Sequence, residues 1–158
     1  MPRTAVTLRR VTCEDAVRLY QWRTDAETVA MSDQAPPHSY ADHLAWLTRR
    51  LTTSRPNLFI GMDDQDAVGT IRVDREYPAV GVLSVTVAPA VRRRGYATGL
   101  IRALCEHPCV ADVVLLRATI KREIVASERA FARAGFIRTG GTATHRIYEW
   151  PVHHATQR

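Results

Sequence analysis

Lysine is almost missing from this chain: of 22 basic residues, only Lys121 is not an arginine. Cysteine is scarce too. Cys13, Cys105 and Cys109 contain no C-x-x-C pair and leave an odd count, which argues against a zinc site and more strongly against a disulfide framework. No apolar run approaches the ~20 residues of a membrane span, and Met1-Pro2-Arg3-Thr4 lacks a signal-peptide core. The expectation is a reducing, cytoplasmic setting with no metal and no membrane partner. Repeats, low-complexity tracts and linkers are absent as well, so residues 1–158 read as a single domain.

What is present is an ordinary globular composition, 46% hydrophobic and 24% charged, with a formal net charge of +6. Positive charge favours anionic partners: a phosphorylated cofactor, a nucleotide-linked substrate or a nucleic acid. Genome composition accounts for the arginine bias as well as any function does.

Periodicity divides the chain into strand, two helices, three antiparallel strands, helix, strand, helix and closing strands. Residues 4–10 alternate as a first strand. Thr12 and Asp15 have capping-box spacing before a helix to about Arg23. Residues 31–39, with Pro36-Pro37, read as a loop, and Ser39 caps a helix carrying Leu44, Trp46, Leu47 and Leu51. Strands follow at 58–60, 67–73 and 80–87, a helix from Gly95 to about His107, and a strand at 110–118. A helix at 124–134 ends at Gly135, and strands at 136–138 and 144–150 complete an α/β fold, a mixed sheet with helices on both faces.

The most informative stretch is Arg92-Arg93-Arg94-Gly95-Tyr96-Ala97, directly after Val87-Ala88-Pro89. Strand, basic turn and helix in that order aim free backbone N–H groups and a helix dipole at one point, a site for phosphate. Gly95 lets the turn bend, and the arginines bring forked donors. A solvated basic loop is the competing interpretation of those residues alone.

These residues resemble the GCN5-related N-acetyltransferase (GNAT) family, whose pyrophosphate loop, Gln/Arg-x-x-Gly-x-Gly/Ala, is matched by Arg92, Gly95 and Ala97. Ser127, Phe131, Gly135 and Phe136 match its Ser-x-x-x-aromatic and Gly-Phe signature, in register with the first motif. The resemblance implies a mostly antiparallel, splayed sheet that binds acetyl-CoA as cosubstrate. Val85, Thr86 and Val87 would pair with the pantetheine arm, and the amides of Arg93, Arg94, Gly95, Tyr96, Ala97 and Thr98 would hold the pyrophosphate, with Arg92, Ser127 and Phe131 also at the cofactor. A primary amine would attack the thioester directly, and a homodimer is common in this fold.

The chain departs from the family pattern in several places. Phe131 replaces a frequent tyrosine whose hydroxyl protonates the leaving thiolate. Ser127 is the substitute by motif position, though a helix serine also bonds to the preceding turn; Tyr148, on a late strand, is the second candidate. Val80-Gly81-Val82-Leu83 has no ionisable group, so a base would come from Glu76, Asp74 or His43 through water, unless the amine arrives neutral. Ile124 stands for the usual Asn, and Arg93 for a glycine of the loop.

Leu8-Arg9, Trp22-Arg23-Thr24-Asp25, Met31-Ser32 and His43-Leu44-Ala45-Trp46 are similar to a group that acetylates nucleotide-linked amino sugars, and in part to ribosomal-protein acetyltransferases. Trp22 and Trp46 would stack on a sugar or base, and Arg23 would meet a diphosphate; equally, both tryptophans suit a core, and His38 and His43 the surface or a helix face. The acceptor expected is a small-molecule amine. A nucleic-acid module is disfavoured, because no aromatics interleave with the basic residues. A coenzyme A sensor without chemistry stays open through Phe131.

Overall fold

A computed structural model of the chain describes residues 5–53 and 55–152. Alternating sequence builds the sheet. Strands β1 (Thr7–Arg10), β2 (Leu58–Asp63), β3 (Asp66–Tyr77) and β4 (Val80–Val87) are antiparallel neighbours. Strand β5 (Leu115–Lys121) lies parallel to β4. Strands β6 (Ile137–Gly141) and β7 (His145–Pro151) complete the order β1-β2-β3-β4-β5-β7-β6.

Helices α1 (Ala16–Thr24), α2 (Ala26–Met31) and α3 (Tyr40–Leu51) cover one face; α4 (Tyr96–Cys105) and α5 (Val125–Arg133) cover the other. Period-2 alternation divides the core accordingly. Leu58 and Ile60 pack with Leu19 and Leu47, while Phe59, Ile71 and Leu83 pack with Leu100, Ile101 and Leu104. The mixed, mainly antiparallel sheet with helices on both faces is thus the architecture expected from the sequence.

Boundaries differ where local chemistry outweighs periodicity. Helix α2 fills part of the interval between the first two expected helices, because the Asp25 side chain accepts from the Thr28 amide and caps it. The strand expected from residue 110 starts at Leu115: Pro108–Val110 is a 3-10 turn in which Val110 is buried without pairing. Residue 4 of the first expected strand lies outside the described residues.

Two contacts position the site. Gly61 and Gly69 are cross-strand partners, and the Leu100 side chain of α4 sits over both. A Cβ on Gly61 would lie 2.1 Å from a Leu100 methyl, and one on Gly69 2.3 Å from the Thr86 carbonyl oxygen. The missing side chains bring α4 close to the sheet. Then β4 and β5 part: only Val80, Gly81 and Val82 pair with Leu115, Leu116 and Arg117.

Candidate active site

The parting strands open a cavity of about 780 Å³ that passes through the sheet, from Trp22 and Trp46 on one side to Ser127 and Phe131 on the other. Its wall is set by backbone alternation. The Ala88 amide donates to the Val68 carbonyl at 2.8 Å, and the Val73 amide to Asn57 at 2.9 Å. In an antiparallel ladder every second residue bonds the same neighbour. Thr86 and Ser84 therefore direct their backbone groups at Thr70 and Arg72 of β3. Val85 and Val87 direct theirs into the gap, where β5 no longer pairs. The Thr86 contribution expected from sequence is thus its side chain, which lines the cavity.

At the end of β4 the chain makes a cradle. Arg93 has φ 64° and Gly95 φ 84°, the left-handed region that glycine takes without strain. None of the amides of residues 92–98 donates to a backbone carbonyl among the described residues. Successive N–H groups at a turn and a helix start form an anion-binding concavity. Arg93 and Arg94 are exposed, and of the two only Arg93 lines the cavity. Arg92 is turned away from the cradle: its guanidinium reaches Asp25 (2.5 Å), Thr28 (2.7 Å) and Glu27 (2.8 Å). It clasps the loop to α2, and the Arg92 guanidinium with the Thr28 amide holds the Asp25 carboxyl below its usual range. The Tyr96 hydroxyl donates to Asp63 at 2.7 Å, and Thr98 is buried under the cradle.

On the α1–α3 face, the Arg23 guanidinium lies 4.2 Å from the centre of the Trp46 ring. Burial lowers its proton affinity, and the charges of Arg72 and Arg50 lower it further. Arg72 donates to Asp74 at 2.7 Å and to Ser84 at 3.3 Å, while Arg50 takes the other Asp74 oxygen. Trp22, Arg23 and Trp46 all line the cavity, and both tryptophans also pack on the core cluster beneath α1 and α3. They serve the core and the cavity wall at once.

Ser127 is half-buried at the cavity wall, and its hydroxyl has no hydrogen-bond partner among the described residues. Phe131 is buried, its ring edge-on to Phe136 at 5.1 Å. Tyr148 is not brought to the site. On β7, paired with Ala118 of β5, it is buried in the core and does not line the cavity. Of the three base candidates, Asp74 alone lines the cavity; Glu76 faces Arg117 at 3.3 Å. His43, expected on the surface or a helix face, lies on the buried face of α3, its Nε2–H donating to the Ala16 carbonyl at 2.9 Å. Sequence reasoning missed Arg72, Ser84 and Thr119 on the cavity wall. The alternation of β3 and β4 carries the signal: polar residues at 70, 72, 74, 84 and 86 interrupt apolar strands on one face.

The comparisons with known proteins agree with this geometry. Residues 5–137 match the model of the acetyltransferase (GNAT) domain. No curated protein matches in sequence. Among solved structures, spermidine N-acetyltransferase from Vibrio cholerae, in complex with CoA and spermine, is similar with TM-score 0.83 and 13% identity. The match covers 94% of this chain and 96% of that one. A GNAT-family acetyltransferase from Bacillus anthracis aligns with TM-score 0.80 and 14% identity over 94% and 95% of the two chains. Aminoglycoside acetyltransferase AAC(6')-Ib, in complex with coenzyme A and kanamycin, aligns with TM-score 0.77 and 21% identity over 93% and 95%. The chain belongs to the GNAT acetyltransferase family.

Proposed function

We propose that this enzyme moves the acetyl group of acetyl-CoA to the primary amine of a small acceptor, a nucleotide-linked amino sugar in the first place. The observation that carries the reading is the gap beside β4, with the unpaired amides of residues 92–98 at its end. The residues fit the cosubstrate: a pantetheine arm is an extended chain of amides, and Val85 and Val87 offer it a free strand edge. The cradle fits a pyrophosphate. Acetyl-CoA supplies an activated thioester, and the protein's part is to align an amine with it.

Val85 N–H is the backbone donor nearest the closed end of the gap and suits charge developing on a carbonyl oxygen. Ser127 is the proton donor to the departing sulfur; a thiol with an ordinary pKa near ~8.5 needs only modest help. Trp22 and Trp46 supply flat apolar surface for a sugar or base. Two solved structures of similar fold are complexes with spermine and with kanamycin, both polycations; an arginine-lined wall suits a different acceptor.

Calorimetry with acetyl-CoA tests the reading. Saturable micromolar binding is expected in the wild type and none in Gly95→Glu, which sets a carboxylate in the cradle and a Cβ at φ 84°. Normal binding by that variant overturns the loop assignment.

A further inference from the structure

Arg23, Arg72 and Asp74 stand on the cavity wall beside Trp46, and Arg50 joins them from behind the wall. Arg72 and Arg50 share Asp74, one on each carboxylate oxygen. Arg23 lies against the same indole as Arg50, at 4.2 Å and 5.5 Å from its centre. The charges that bear on Arg23 are those of Arg72 and Arg50, with no acid among them. One negative charge against three positive leaves this cluster two positive charges in excess.

The protein treats Arg92, another half-buried arginine, differently. Arg92 is met by two carboxylates and a hydroxyl. A desolvated charge without a counter-ion is costly, so leaving Arg23 without one while neutralising Arg92 calls for an incoming anion. The indole holds the planar guanidinium in place and leaves its N–H edge for a forked contact. Position agrees as well. Arg72 bonds Ser84 of β4, two residues past Val82, the last residue paired with β5. The excess charge therefore stands beside the closed end of the gap, where an amine would meet the acetyl group.

We propose that Arg23 and Arg72 anchor a phosphate or diphosphate of the acceptor, so that the enzyme selects anionic amines and rejects polycations. This rests on the acetyltransferase reading and names the charge class of its amine. Two excess positive charges match a diphosphate better than a lone carboxylate.

The test uses the full chain saturated with coenzyme A, so that the cradle at residues 92–98 is filled. Titration with inorganic pyrophosphate is expected to show saturable binding. Arg23→Gln should weaken it about 10- to 100-fold, the worth of charge-assisted hydrogen bonds, and Arg23→Lys should restore part. In a thiol-release assay, uridine diphosphate-glucosamine should have the higher kcat/KM and spermidine the lowest. Arg23→Gln should raise KM for the nucleotide sugar by a larger factor than KM for glucosamine. Equal pyrophosphate binding by wild type and Arg23→Gln overturns the proposal, as does preference for spermidine. Failure of coenzyme A to bind counts instead against the acetyltransferase reading; pyrophosphate titration of the unliganded wild type and Arg23→Gln then still decides the anchor.

Discussion

Single residues here divide between chemistry and support, and often the burial of one polar atom decides which. Ser127 and Tyr148 both carry hydroxyls that suit a proton donor, yet only Ser127 lines the cavity. Ser127→Ala is expected to lower kcat about 100-fold, at the lower end of general-acid contributions, with acetyl-CoA affinity unchanged by calorimetry. His43 shows the opposite outcome. Burial lowers its pKa from 6.5, so the folded state prefers the neutral ring. That preference is fully present above pH 6.5 and is lost as pH falls through the lowered value. Urea midpoints at pH 7.5 and pH 5 should differ more for the wild type than for His43→Gln, which keeps a donor for the Ala16 carbonyl.

At the scale of elements, the seat of α4 on paired glycines governs the cradle. Leu100 is fully buried over Gly61 and Gly69. Leu100→Ala should cost about 2–5 kcal/mol, the range for a buried leucine truncated in a core. Because α4 begins at Tyr96, directly after Gly95, the variant should also weaken acetyl-CoA binding, which calorimetry on folded protein would separate from stability. Strands, cradle and the α5 motif were legible in sequence because each is local: alternation, a glycine turn, a capped amphipathic helix. Helix α2 was not, since its cap depends on Asp25 and its lasting partner, Arg92, lies 67 positions away. The acceptor wall was half legible. Trp22, Arg23 and Trp46 stand out by residue type, whereas Arg72 and Ser84 acquire meaning only once β3 lies beside β4, and Asp74, a base candidate by sequence, is held there by Arg72 and Arg50.

For the whole molecule, the sheet is two pieces joined by a short seam. Strands β1–β4 meet β5–β7 through three residue pairs, and α4 and α5 pack together across the seam. The cavity occupies the remainder of that boundary. Strands in the middle of a seven-stranded sheet are ordinarily its slowest-exchanging part, yet Val85 and Val87 carry amides that no neighbouring strand protects. Deuterium should therefore enter the centre of this sheet sooner than its interior β2–β3 ladder. Acetyl-CoA should slow exchange at these two positions and at residues 93–98 together, and slowing confined to the helices would exclude a strand-like pairing of the cosubstrate. The chain thus leaves strand amides unpaired at the middle of its fold, where acetyl-CoA, in place of an eighth strand, is expected to close the ladder.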